Sequence, residues 1–210
     1  MEIIESLVPK SQWKIKCPYE MKPEFIVIHN TANDASAEKE VAFMKSNNAY
    51  TSYHFAVDDK EIRQAIPLDR NAFHAGDGDR GNGNRKGIAI EICYSKSGGD
   101  RFLKAEEKTA EFVAQLLKKY GWGVDKVKKH QDFSGKYCPQ RTLDLGWDRF
   151  LKKVESYMIT ELTTVNDIVW ELSARGIITD KELWLKKLET DTDAYWLARK
   201  CVNYIRQEKK

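Results

Sequence analysis

Four histidines and four cysteines among 210 residues leave few side chains able to bind a transition metal. His29 ends the apolar run Phe25-Ile26-Val27-Ile28, where a side chain emerges at the rim of a sheet. Read alone, a histidine there is more often structural than a ligand. His130 closes Val127-Lys128-Lys129-His130, and Cys138 follows in Gly135-Lys136-Tyr137-Cys138-Pro139. A cysteine next to proline in a tight loop is poorly placed as simple core filling. Two imidazoles and a thiolate form a zinc set of the open kind, with three protein ligands and a fourth position for water. The spacing is not that of a zinc finger, so residue arithmetic leaves both a metal site and unrelated side chains open. Cys17, Cys93 and Cys201 form no C-x-x-C pair and read as ordinary thiols.

Something must carry these residues to one place. Pro9, Pro18 and Pro23 punctuate an irregular lead-in that ends at Lys22-Pro23. Phe25 to His29 reads as a buried strand. Ala37, Val41, Met44 and Asn48 at helical spacing predict a helix from Ala35 to Asn48. Ser52–Val57 and Glu61–Ile66 predict two strands joined as a hairpin. Glycines at 76, 78, 81, 83 and 87 predict an irregular loop over 74–87. Gly87–Ile92 is the next strand, with Ile88, Ile90 and Ile92 on one face and Glu91 on the other. Ala105, Thr109, Phe112, Val113, Leu116 and Tyr120 mark a long helix stopping before Gly121. Phe150, Leu151, Val154 and Tyr157 form the stripe of another from Trp147 to Met158. These elements predict an α/β domain over 1–157, a central mixed sheet flanked by helices. Beyond it, three short amphipathic helices are expected, the second capped by Asp180 and the third by Asp193. They predict a small all-α helical C-terminal domain over 158–210.

Five blocks occur in order: Phe25-Ile26-Val27-Ile28-His29-Asn30-Thr31, Ser52-Tyr53-His54-Phe55, Ala72-Phe73-His74-Ala75-Gly76, Ile88-Ala89-Ile90-Glu91-Ile92 and His130 through Lys136-Tyr137-Cys138-Pro139. Together they resemble the type-2 N-acetylmuramoyl-L-alanine amidases, zinc enzymes related to peptidoglycan recognition proteins, and most of all endolysins and prophage autolysins of Gram-positive bacteria. The resemblance covers 1–157. It implies one Zn2+ on His29, His130 and Cys138, and hydrolysis of the amide joining N-acetylmuramic acid to L-alanine in peptidoglycan. It makes Glu91 the general base and acid rather than a surface salt-bridge partner. Lys136 becomes the stabiliser of the oxyanion rather than a solvated loop lysine. Tyr53 is expected to wall the site, with His54 a hydrogen-bonded structural histidine on the opposite face. His74 is expected to face substrate, and the polar groups Asn30, Asp77, Asp79, Asn82 and Asn84 to contact sugar or peptide. Trp170, Trp184 and Trp196 either stack on sugars, making the tail a wall-targeting segment, or form the core of its helices. Relatives of this fold also include non-hydrolytic muropeptide receptors, the alternative reading; loss of a zinc ligand would favour it, and none is lost.

Composition narrows the classes further. Hydrophobic residues make up 41% and charged residues 32%, too apolar for a disordered chain and too charged for a membrane protein. The net charge of +3 is no polybasic footprint, and residues 158–210 are balanced, so no nucleic-acid partner is expected. Apolar runs are a few residues long, so no membrane insertion is expected. Glu2, Glu5, Lys10 and Lys14 interrupt any signal-peptide core. The expected picture is a monomer made in the cytoplasm that reaches the wall after holin-type release or lysis.

Overall fold

The computed structural model describes residues 1–158 and 164–207. The chain divides into two compact units, Met1–Met158 and Ile159–Lys210. The junction expected after Tyr157 runs into residues 159–163, which lie outside the described residues.

The first unit is built on one sheet of six strands: β1 (Ile4–Glu5), β2 (Phe25–Asn30), β3 (Phe55–Val57), β4 (Ile62–Gln64), β5 (Gly87–Ile92) and β6 (Val127–Lys129). Their order is β1-β4-β3-β5-β2-β6. β3 and β4 pair antiparallel while the other pairs are parallel, so the sheet is mixed, as expected. Its helices are α1 (Trp13–Lys16), α2 (Ala37–Ser46), α3 (Asn82–Lys86), α4 (Gly99–Tyr120), α5 (Gln131–Ser134), α6 (Gln140–Asp144) and α7 (Trp147–Met158). No described helix is long and apolar enough to cross a membrane.

Side-chain alternation gives the sheet two unlike faces. Register sets Ile26 beside Ile88 and Ile28 beside Ile90, with Phe55 of β3 next to Ile90. Phe55 meets Phe112 of α4 edge to face, ring centres 4.8 Å apart, so α4 covers this face. Phe102, Ala105, Phe112, Val113 and Leu116 of α4 are all buried, as their spacing predicts. Gly121, at φ 67°, ends the helix in the left-handed turn that other residues resist. α7 packs against α4, and Arg149 holds the buried Glu106 through bonds of 2.8 and 2.7 Å.

Several elements differ from expectation. Strand β3 starts at Phe55, because the Ser52 N–H donates to the Phe73 carbonyl, outside the ladder. The lead-in carries β1 and α1, both too short to show a period. The glycine-rich stretch is not wholly irregular: it contains α3. The cap of α3 is remote in sequence, since Asp77 accepts from the N–H groups of Gly83 (2.6 Å) and Asn84 (3.3 Å). That satisfies helix-end donors which adjacent residues leave bare. A side chain on Gly83 would begin 2.5 Å from the Ala75 methyl, so this glycine serves close packing.

In the second unit α8 (Val165–Ala174), α9 (Lys181–Thr190) and α10 (Thr192–Gln207) bury Ile168, Val169, Leu172, Ile178, Leu188, Ala198 and Val202. Thr164 and Asp167 form a reciprocal capping box on α8, and Asp180 caps α9 through the Leu183 N–H at 2.9 Å. Asp193 does not cap α10. The helix starts one residue earlier, and Asp191 accepts from the Ala194 N–H at 2.9 Å. Trp184 packs against the small core, Trp170 is half-buried, and Trp196 is exposed.

Candidate active site

The sheet face away from α4 carries Phe25, Val27 and His29 on β2 beside Gly87, Ala89 and Glu91 on β5. Small residues dominate it until the C-terminal ends of the strands, where His29 and Glu91 stand side by side. On the far side of β2, β6 pairs with Ile26–Ile28 and delivers His130, whose N–H donates to the Ile28 carbonyl at 3.3 Å. The next loop doubles back, and the Gln131 N–H donates to the Cys138 carbonyl at 3.0 Å. Cys138 thereby returns to the residue it left.

Three buried side chains meet there. His29 Nδ1 lies 3.1 Å from His130 Nδ1 and 3.9 Å from Cys138 Sγ, and the three donor atoms all lie within 4.8 Å of one another. The other ring nitrogen of His29, Nε2, lies 3.0 Å from His74 Nδ1. With the proton on His29 Nε2 and donated to His74, the Nδ1 lone pair faces His130 and Cys138. Burial first, then the charges of His74, His130 and Lys136, holds the His29 imidazole well below its ordinary pKa. Burial also lowers His130, with Lys136 adding. Burial, with the Glu91 charge, pushes the Cys138 thiol up to about 11. The cluster without a cation is thus two neutral rings and a thiol; a cation would favour the thiolate.

Two cavities flank the cluster. The larger, about 870 Å³, is lined by Cys138, Glu91, Tyr53, Lys136 and the helix α2 residues Lys39, Glu40, Phe43 and Met44. The smaller, about 560 Å³, is lined by His130, His74, Lys136, Phe73 and Asp79. Lys136 is exposed and borders both. Burial, with Glu40 adding and Lys136 opposing, pushes the Glu91 carboxyl up to about 8. Glu91 Oε2 and the Tyr53 hydroxyl are buried with no hydrogen-bond partner among the described residues. His54 lies on the opposite side of Tyr53. The Ala89 N–H donates to its Nδ1 at 3.0 Å, so its Nε2–H donates to the Arg70 carbonyl at 2.9 Å.

Asn30 lines the larger cavity and Asp79 and Asn84 the smaller, and each also makes bonds within the chain. Asn30 Oδ1 accepts from the N–H groups of Arg141 (2.9 Å) and Thr142 (3.2 Å), and its amide donates to the His29 carbonyl. Asn30 therefore ties β2 to α6. Asn84 Oδ1 accepts from the N–H groups of His74 and Ala75, and its amide donates to the Gly78 carbonyl. It holds the loop that presents His74. Asp77 caps α3, and Asp79 accepts from the Tyr19 hydroxyl at 2.7 Å. His74 borders the smaller cavity, yet its Nδ1 is turned to His29, a contact no spacing reveals. Sequence reading passed over Glu40, because a glutamate in a first helical turn ordinarily serves the helix dipole in solvent.

Residues 19–141 match the family model described as N-acetylmuramoyl-L-alanine amidase. The chain belongs to this amidase family. The matched stretch contains all three cluster residues and Tyr53, His74, Glu91 and Lys136. The N-acetylmuramoyl-L-alanine amidase CwlA of Bacillus subtilis (strain 168) is 56% identical over 157 residues, 74% of this chain and 58% of the relative. The N-acetylmuramoyl-L-alanine amidase XlyB of the same strain is 56% identical over 152 residues, 72% of this chain and 48% of the relative. The chain thus spans about half the length of these curated relatives. Among solved structures, that of PlyL is 52% identical with a TM-score of 0.72, covering 75% of this chain and 99% of that one. The PlyG catalytic domain gives the same identity and TM-score, covering 78% and 99%.

Proposed function

We propose that this member of the amidase family hydrolyses the amide between N-acetylmuramic acid and L-alanine in peptidoglycan, with one Zn2+ held by His29, His130 and Cys138. The observation that carries the reading is the meeting of those three donor atoms, from three separate stretches of chain, at the border of two cavities. The donor set suits zinc, a borderline-soft ion that favours imidazole and thiolate. Tetrahedral zinc with ordinary bond lengths spaces its donors about 3.3 to 3.6 Å apart. The 3.1 and 3.9 Å separations bracket that range. When bound, zinc lowers the pKa of water to about 7 and polarises a carbonyl.

The chain's own groups supply the rest. Glu91 Oε2, buried and without a hydrogen-bond partner among the described residues, takes the proton of the attacking water and passes it to the leaving amide nitrogen. Metal-free, its raised pKa would keep it protonated at neutrality; a neighbouring dication favours the carboxylate form it needs as a base. Lys136, bordering both cavities, offers its ammonium to the developing oxyanion. Tyr53 walls the larger cavity and His74 orients His29. The C-terminal helices are read as a segment that targets the cell wall, supported by the exposed Trp196, over whose ring Arg199 lies at 5.3 Å.

Digestion of purified walls tests the reading. New L-alanine amino termini without new reducing sugars are expected, together with one zinc per chain and loss of activity on chelation. Amino termini other than alanine would replace the amidase by a peptidase, and binding without release of any product would leave a receptor.

A further inference from the structure

The larger cavity contains a second carboxylate that the reaction does not use. The charged groups facing it are Lys39 and Glu40 from α2, Glu91 from β5 and Lys136 from the loop before Cys138. Glu40 is half-buried; Asn33 Nδ2 donates to its Oε1 at 2.5 Å. Among the described residues it makes no ion pair. Burial raises its carboxyl above the usual range, the Asn33 bond opposing. A second, independent group points into the same space. Tyr53 is only 6% exposed, and its hydroxyl has no hydrogen-bond partner among the described residues. A half-buried carboxylate facing a cavity without an ion pair is open to a cation, and a buried hydroxyl without a bond is unfavourable until a partner completes it. Among amides and hydroxyls such as Asn47 and Thr51, the remaining wall also carries Ala35, Phe43, Met44 and Ala49, an apolar strip that suits methylene groups.

We propose that Glu40 is a specificity-determining residue that pairs with the side-chain ammonium of a basic amino acid in the peptide arm of the substrate. The inference rests on the amidase reading above. The peptide arm lies along the larger cavity with its aliphatic stem on Phe43 and Met44. The ammonium reaches Glu40, and the Tyr53 hydroxyl bonds a polar group of the same arm. Glu40 transfers no proton in the reaction, so its contribution lies in substrate affinity and discrimination.

Two wall fragments test this in the full chain: one whose peptide carries a free side-chain amine, and the same fragment acetylated on that amine. Wild type is expected to favour the free amine in kcat/KM on the order of ten- to a hundredfold, as a charge-assisted bond implies. Glu40→Gln keeps the size of the side chain and an acceptor for Asn33. It should bring the ratio close to one, chiefly by raising KM for the free-amine fragment. Equal turnover of both fragments by wild type overturns the proposal, as does a Glu40→Gln variant that keeps the preference. Failure of wild type to free alanine amino termini from either fragment is a different result. It overturns the amidase reading itself.

Discussion

Strands β2 and β5 run side by side, and their two faces do different things. Towards α4 they present Ile26, Ile28, Ile88 and Ile90, all fully buried, in register with one another and with Phe55. Away from α4 they present His29 and Glu91 beside each other above glycine, alanine and valine. One face lowers the free energy of the folded chain through apolar burial. The other accepts an unpartnered carboxylate oxygen and imidazoles held neutral, arrangements that oppose stability and favour chemistry. Residues adjacent in sequence therefore differ in what their loss should cost. Ile90 and Glu91 are the sharpest such pair.

Replacing a cluster residue should have the largest effect. Cys138→Ser is expected to lose bound zinc and to cut wall hydrolysis on the order of a thousandfold or more. Metal analysis and a turbidity assay on the same preparation check it; full activity in a zinc-free variant would remove the metal from the chemistry. Glu91→Gln comes next, with zinc retained and turnover reduced about 10²- to 10⁴-fold.

Glu91 also makes a prediction about stability that its neighbour does not share. In the metal-stripped protein its carboxyl stands at about 8 against an ordinary 4.5. The folded state then binds the proton more tightly than the unfolded state. Its contribution is full below pH 4.5 and is lost as pH rises through 8. Metal-stripped Glu91→Gln should lack that decline in denaturant melts between those pH values. Ile90→Ala reverses the pattern. It should cost about 2–5 kcal/mol of stability, read as a lower denaturant midpoint, while the folded fraction keeps its kcat. An Ile90→Ala variant that lost turnover with unchanged stability would erase the contrast between the two faces.

His54 gives a smaller effect of opposite sign in pH. Burial holds its imidazole down to about 4 against an ordinary 6.5, while the Arg70 carbonyl opposes. Its neutral form is the one bonded to Ala89 and Arg70, so stability is present above pH 6.5 and falls as pH drops through 4. His54→Gln should flatten that acid limb. The smallest change is expected from Trp196→Ala in the second unit, within about 0.5 kcal/mol for an exposed side chain. If these helices target the wall, sedimentation with purified walls should fall more than the melting temperature does.

Much of the site was legible in the chain because its residues sit at the ends of elements with strong local signals. The Ile-Glu-Ile alternation of β5 and the apolar run before His29 announce both strands and their faces. Glycine and proline around Cys138 announce a loop that is not core. Asn30 and Asn84 also tie backbone together, which the sequence does not reveal, because polarity in a loop says nothing about whether neighbouring backbone N–H groups have already claimed part of the side chain. Helix α3 was missed for a related reason: its cap, Asp77, lies outside the window in which capping is recognised. Asp193 was displaced by Asp191 because α9 and α10 follow one another with hardly a spacer.

The amino-acid order by itself determined which residue types were available, which strand face each would occupy, and the family to which the motifs point. Those follow from local periodicity and turn chemistry, which act over a few residues. Only the tertiary structure decided that His29, His130 and Cys138 share one point, that His74 stands behind His29, and that Glu40 of α2 faces the same cavity as Glu91. Such distances depend on β6 pairing beside β2 and on α2 crossing the sheet, contacts set by burial among residues far apart in sequence.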